Sequence, residues 1–567
     1  MRTIITDNAN SAALFAQATN SHELGFRQYR GKDTIIVWTD GIPFKKQAIV
    51  SKSGRGGIAI LLQGETTMWF NIIKTAVAAS SQVIVATDSR DSAFWLLDFM
   101  NTGEMFDKLT RIHVREMTVK GVRESFDNQE DMTSIMEKIV EDFYRIRTDG
   151  YLREETIRII KQACGTDTYR LGRISTPLLC KVAERFKTGS EQEPMAEYRV
   201  HFALEHQGKV FRFASQEAWD TPTDANQLYI RLKTSKEPAV ITKVKCGTYK
   251  VDAPRLFNMT SLLQTANDRL GLTLEQTEES AQRLFEWGLI TWPFGNTDSI
   301  SYRKVRKIHR LLDFLHDHEK LGIYASRIER LSEGSLRKCP SRGQHGILIT
   351  GMNLGHIAHK MNYADRLLYD LICTRVIEAF SQPTVIQTVE AEAVINGHPF
   401  SLKEKYTLHK GWQAISDKSF KKEEAVETAL MWPTGSKVCY QAVSITKRVN
   451  RIATTYTEGE LLRDATEGKL GTTTEITDAI NDLVANDYLF HSDTGLKPTE
   501  KGLALYSIVK EQPISNPLIM SSLEHDIQTE CLMINSESTF IESKMRVYEW
   551  TVEALAESPM LFPNKAD

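Results

Sequence analysis

The sequence predicts a multidomain protein: an α/β domain at the N-terminus, then helical and β-rich segments in alternation. Three observations carry this. Short apolar runs recur among helical patterns in residues 1–120, two blocks of strict alternation start near residues 196 and 384, and a mostly helical stretch, 257–380, separates those blocks. A chain that leaves a β element and later returns to it encloses the intervening segment, as arched or ring-shaped chains do. At 567 residues the chain is also too long for a single compact core.

Each element follows from its pattern. TIIVWTD (34–40), GIAILL (57–62) and QVIVATD (82–88) read as buried strands of a βαβ-type sheet, because continuous apolar runs suit strands covered on both faces. SAFWLLDFM (92–100) follows the third at helical spacing. From 130 to 190 the pattern is helical, with charged residues on one face of MTSIMEKIVEDFYRI. EYRVHFALEHQGKVFRF alternates and reads as a hairpin turning at Gly208. TVIQTVEAEAVINGHPFSLKEKYTLHKGW (384–412) repeats the pattern, with the Asn396-Gly397 pair as its turn signal. The remainder, 414–550, reads as mostly helical. The expected division is therefore 1–150 (α/β), 151–195 with 414–550 (helical), 196–256 with 381–413 (β-rich), 257–380 (helical) and a tail, 551–567.

Composition narrows the function classes. A hydrophobic fraction of 41% and a charged fraction of 25% suit a globular chain. With a formal net charge of -3, any nucleic-acid binding must come from local basic surface. No apolar run approaches the roughly 20 residues needed to span a bilayer, so no membrane partner is expected. The N-terminal stretch MRTIITDNANSAALF lacks a basic region followed by a continuous apolar core, which argues against a secretory leader. Seven scattered cysteines without a CxxC pair speak against zinc ribbons and a disulfide framework, and a reducing cytoplasm fits them.

Four motifs in order resemble the type IA DNA topoisomerases, topoisomerase III most closely. They are YRLGRISTPLLCKVAERF (169–186), FNMTSLLQTANDRLGLTLEQTEESAQRLFEWGLIT (257–291), YTEGELLRDATEGKLGT (456–472) and LKPTEKGLALY (496–506). The resemblance runs from about residue 1 to 550. It implies a Toprim domain followed by helical and β domains forming a toroidal arch around a hole large enough for DNA, in agreement with the order read from periodicity.

It also implies where chemistry would sit. In the family a tyrosine oxygen attacks a DNA phosphate, and the matching position here is Trp292. A phenol offers an oxygen nucleophile, whereas the indole nitrogen is only a donor. The arginine two residues after the tyrosine, which steadies developing charge, is matched by Phe294, followed by an apparent insertion, Gly295-Asn296, before Thr297-Asp298-Ser299. In the Toprim pattern Asp7 stands for the family's glutamate and Asp88 for its first aspartate. Arg90 and Ser92 occupy the next two acidic positions, with Asp91 on a different side of the turn. Ser11 matches the family lysine that helps protonate the leaving oxygen. Converging carboxylates hold Mg²⁺ in the family; here Arg90 beside two acids disfavours a divalent ion and reads as an internal counter-ion. No cofactor is expected, and Mg²⁺ belongs only to the alternative of an active enzyme. Tyr302 is that alternative's displaced nucleophile, although an aromatic at the start of the next helix explains it as well.

Several residues remain for DNA. Trp292 offers a face that could stack on a base where the family's tyrosine attacks, or it plugs the vacant pocket. Arg173 matches the family's Gly-Arg motif, with Arg170 read on the same face; a DNA contact and a structural ion pair are equally open. His345, in GQHGILIT, matches a family histidine near the scissile phosphate, or is a satisfied loop histidine. Arg303, Arg306, Lys307 and Arg310 fall at i, i+3, i+4 and i+7, one helix face suited to phosphates or simply to water. SITKRVNRIA (444–453) is a second basic cluster of the same ambiguity. Residues 457–506 read as a winged-helix-like unit whose acids, Glu475 and Asp478, weaken DNA contact. Three functions follow: a non-cutting topoisomerase-like protein that binds single-stranded DNA or a partner such as a helicase or nuclease, an active type IA enzyme with a relocated nucleophile, and a protein-interaction scaffold.

Overall fold

The computed structural model describes residues 1–39, 44–50, 56–62, 67–86, 108–131, 145, 149, 153, 156–159, 161–162, 169–191, 194–206, 208–235, 237–337, 345–416, 432–450, 453–530 and 553. The first sheet contains β1 (Arg2–Thr6), β2 (His22–Gly25), β3 (Gln28–Arg30) and β4 (Thr34–Trp38), then β7 (Gln82–Ala86), β8 (Leu109–Arg111) and β9 (Glu130–Asp131). The intervening β5 (Phe44–Val50) and β6 (Gly56–Leu62) form a separate hairpin. The strand order is β2-β3-β4-β1-β7-β8-β9, with β4, β1, β7 and β8 mutually parallel. Ile4, Ile36 and Ile84 from its centre pack with Phe15 of the helix Ala9–Thr19. One expectation is corrected here. GIAILL lies in β6, which pairs antiparallel with β5 and not with the central sheet, because an apolar run specifies a strand but not its partner.

The second sheet is assembled from distant parts of the chain. β10 (Met195–His206) and β11 (Lys209–Ser215) form the first hairpin, turning at Gly208 with φ +77°. β12 (Ala239–Val251) follows, and the chain departs into helices Met259–Leu270, Leu274–Glu286, Val305–His316 and Tyr363–Phe380, with a short parallel pair, β13 (Ile300–Ser301) and β14 (Leu336–Arg337). It returns as β15 (Thr384–Ile395) and β16 (His398–His409), whose turn holds Asn396 and Gly397 both at positive φ, the backbone of a type I′ turn. β17 (Lys437–Val438) and β18 (Ala442–Asn450) complete the order β17-β12-β15-β16-β11-β10-β18. The expected return to helix at 414 is thus corrected, since β18 pairs with β10 along its whole length. Basic cluster 444–453 therefore begins on an edge strand. Its core has Phe202 stacked on Phe213, centroids 4.8 Å apart, with Phe400 and Trp432 beside them.

A third core joins the helix Ser175–Glu191 to the 257–380 helices and to the C-terminal ones, through Leu178, Leu284, Leu462 and Leu505. The 457–506 unit has helices Glu458–Glu467, Thr473–Ala485 and Glu500–Val509, with the hairpin β19 (Leu489–Ser492) and β20 (Gly495–Pro498) before the last. Among the described residues no helix is long and apolar enough to cross a membrane.

Candidate active site

Helix Leu274–Glu286 delivers Trp292 to its place. The helix closes on Gly288, whose N–H donates to the Phe285 carbonyl at 2.8 Å while Leu289 N–H reaches Leu284 O at 2.9 Å. Gly288 has φ +70°, and a Cβ there would stand 2.7 Å from the Met117 carbonyl oxygen, so glycine is required on both counts. The chain then runs beside 347–350: Thr291 N–H donates to Leu348 O at 2.8 Å, and Leu348 N–H to Thr291 Oγ1 at 3.0 Å. Trp292 N–H finally donates to Arg115 O at 2.7 Å, across to the segment after β8. Its half-buried indole meets Phe285 edge-on, centroids 5.1 Å apart, and lies 5.0 Å from Phe294. The position at which an oxygen nucleophile is expected is therefore an aromatic contact. Phe294, where an arginine is expected, supports the same core. Asp298 pairs with Arg255 at 3.1 Å. Tyr302 is 43% exposed at the start of the 3-10 turn Tyr302–Lys304.

The residues near Trp292 and His345 include two cations that the sequence did not single out, Arg115 and Lys304, and one that it did, Lys307. Lys307 forms an ion pair with Glu116, adjacent to the Arg115 carbonyl that holds Trp292. His345 is buried, and Gly346 N–H donates to Ser299 O at 2.9 Å, which ties it to the same loop. Its Nδ1 lies 2.8 Å from the Gly346 carbonyl. A carbonyl only accepts, so Nδ1 carries the proton and Nε2 is left an acceptor. Burial, then Lys307, Lys304 and Arg115, pushes the imidazolium down to about 3, and His345 is neutral at physiological pH. Lys304 is itself lowered by burial and by Lys307 and Arg115, although Glu116 and Glu124 oppose this. Three cations, Lys307, Lys304 and Arg115, thus act on His345. Arg115 and Lys304 lie about 190 positions apart, and no local pattern links them.

The other predicted residues divide. Arg303, Arg306 and Arg310 are exposed on the turn and helix that follow, while Lys307 turns inward. Of the two readings of Arg173, the structure supports the ion pair: its side chain is 1% exposed and holds Glu524 at 2.8 Å, Asp149 at 3.1 Å and Glu475 at 3.3 Å. Its guanidinium also donates to Leu470 O at 3.3 Å. Arg170 is exposed, so the two do not share a face; the segment before Ser175 is not helical.

Asp7 follows β1 at the carboxyl end of the sheet, where α/β ligand sites form. Thr6 pairs with Ala86, so the chain beyond β1 and β7 leaves the same edge. Ser11 is buried near the start of the following helix, its N–H capped by Asn8 Oδ1 at 2.9 Å. Asp88, Arg90, Asp91 and Ser92 lie outside the described residues. As a donor set, Asp7 and Asp88 supply two carboxylates, and Arg90 brings a positive charge to a sequence position where Mg²⁺ needs oxygen. We expect calorimetric titration with Mg²⁺ or Mn²⁺ to reveal no site of micromolar affinity; tight saturable binding lost in Asp88→Asn would contradict this.

Comparison with known proteins agrees with the motif order. The family model described as DNA topoisomerase matches residues 145–529. DNA topoisomerase 3 of Bacillus subtilis is 21% identical over 534 residues, covering 88% of this chain and 72% of its own. DNA topoisomerase 1 of Aquifex aeolicus is 23% identical over 403 residues, covering 70% and 71%. The solved structure of full-length topoisomerase I from Thermotoga maritima superposes with TM-score 0.76 over 97% of this chain and 90% of that one. At 15% identity that likeness is one of fold.

Proposed function

Because this chain belongs to the type IA DNA topoisomerases, we propose that it engages DNA, in single-stranded form, without cutting it. One observation carries the reading: the residue at the nucleophile's position is an indole packed against Phe285 and Phe294. The cations near it suit a phosphate, and none of them supplies an oxygen nucleophile. Arg115, Lys304 and Lys307 give positive potential, and exposed Arg303, Arg306 and Arg310 continue it outward. A strand held this way is available to a helicase or nuclease partner. The Toprim reading of the first sheet, with its altered acids, belongs to the same proposal.

The test is salt. Phosphate contacts release counterions, so log affinity for a single strand should fall linearly with log salt, with a slope of about -0.7 per contact. Fluorescence anisotropy with a labelled oligonucleotide in EDTA should show weak, sequence-tolerant binding with such a slope. Replacing Arg303, Arg306 and Arg310 together by glutamine should flatten it. Binding indifferent to both salt and the triple substitution would leave the scaffold reading.

A further inference from the structure

The passages between the helical segment and the second sheet enclose a crevice that the function above does not use. Its volume is about 700 Å³, within the roughly 300–1,000 Å³ of small-molecule sites. One wall is the helical turn Gly322–Ala325 with the residues after it; the other is the end of β16 and the chain to Ile415. Hydrogen bonds fix both walls. Gln382 Nε2 donates to Arg330 O at 2.8 Å, Thr384 Oγ1 to Lys410 O at 2.7 Å, and Trp412 N–H to Gln382 O at 3.0 Å. Gly411 has φ +50°, and a Cβ there would stand 2.4 Å from Pro383 O, so the backbone closes where only glycine fits. The crevice is preformed.

Its lining has two characters. Tyr324, Ile328 and Leu408 make an apolar surface, and Leu408 leaves 41% of its area open to solvent. Arg327 and Arg330 bring two guanidinium groups to the lining, with Lys410 and the acid Glu329 also among its described residues. Arg327 lies over the Tyr324 ring at 6.0 Å. Among the described residues neither the Arg327 nor the Arg330 guanidinium has an ion pair or a side-chain hydrogen bond. A planar guanidinium presents a donor fork suited to phosphate oxygens, and an aromatic wall beside it suits a flat ring.

We propose that this crevice binds a nucleotide, with its phosphate on Arg327 and Arg330 and its base against Tyr324 and Leu408. The unit can come free or as part of a strand, and both supply the same chemistry. The test uses the full chain with AMP, inorganic pyrophosphate and an eight-residue oligothymidylate, each titrated against wild type and against Arg327→Gln/Arg330→Gln. Both arginines are exposed, so the double variant should melt as wild type does. Saturable AMP binding weakened at least tenfold in the variant supports a free nucleotide; the same loss for the oligonucleotide alone supports a unit within a strand. Leu408→Asn, which removes the apolar wall without adding charge, should weaken either one while leaving pyrophosphate unaffected. Two outcomes overturn the proposal: neither nucleotide probe distinguishes the double variant from wild type, or pyrophosphate binds as well as both. Because this variant leaves Arg303, Arg306 and Arg310 intact, failure here is separable from failure of the DNA-binding reading.

Discussion

Trp292→Tyr will not make this protein cut DNA. The substitution restores a phenol, but the groups that would serve it are still missing. By the family resemblance, Phe294 takes the place of the arginine that stabilises charge on the phosphate, and Ser11, capped within its helix, takes that of a proton donor. His345 is neutral, with Nε2 able only to accept. Losing one electrostatic stabiliser costs about 10²–10³ in rate and losing a general acid about 10²–10⁴, so the combined deficit is at least about 10⁴. Trapping on a single-stranded oligonucleotide with Mg²⁺, followed by denaturing electrophoresis, should show no adduct for wild type or Trp292→Tyr. A denaturant-resistant adduct of the wild type that disappears in Tyr302→Phe would establish an active enzyme with a moved nucleophile. The same indole supports the fold. Trp292→Ala should lower the melting temperature, by up to about 3 kcal/mol of stability given that buried aromatics cost about 3–5, with little change in oligonucleotide affinity. Lost affinity at unchanged stability would instead give Trp292 the stacking role, worth about 1–3 kcal/mol per base.

How far the sequence could be read depended on whether a feature is local. The hairpin turns were legible at Gly208 and at Asn396-Gly397, because a left-handed backbone selects those residue types within two positions. β18 was not legible: Val443 and Ile445 alternate, but Lys447, Arg448 and Asn450 follow, and an edge strand with nearly all its residues exposed writes no apolar stripe. GIAILL announced a strand and left its partner undetermined. In the candidate site Trp292, Phe294 and Lys307 stood out by motif or helix position, whereas Lys304 and Arg115 did not, since those two meet His345 only through the fold. Arg173 shows the limit most clearly. Its motif said that the arginine matters, but its carboxylate partners lie 24, 302 and 351 residues away.

That burial sets a large expected effect on stability. Arg173 and Arg145 share Glu524 and Glu475: Arg145 bonds Glu524 at 2.6 Å and stands 3.6 Å from Glu475. The cluster ties the chain near 145–149 and the Gly-Arg segment to the helices Thr473–Ala485 and Pro517–Glu530. Arg173→Met removes one partner and leaves buried carboxylates short of charge, a change that typically costs about 3–5 kcal/mol. Chemical denaturation should report a loss of that size, and Glu524→Gln on the same background should recover part of it by removing the stranded charge. The pH dependence follows from Glu475. Burial alone would raise its carboxyl, but Arg173 and Arg145 hold it below the usual carboxylate range. A depressed native pKa stabilises the fold above the unfolded value and loses that contribution as pH falls through the native one. The wild type should therefore lose stability on acidification below about pH 4.5, and Arg173→Met should lose less over the same interval, because its Glu475 is no longer held down by that guanidinium. If Arg173→Met folds with undiminished stability yet binds single-stranded DNA more weakly, the arginine is a DNA contact after all, and the buried ion-pair cluster is not what holds these segments together.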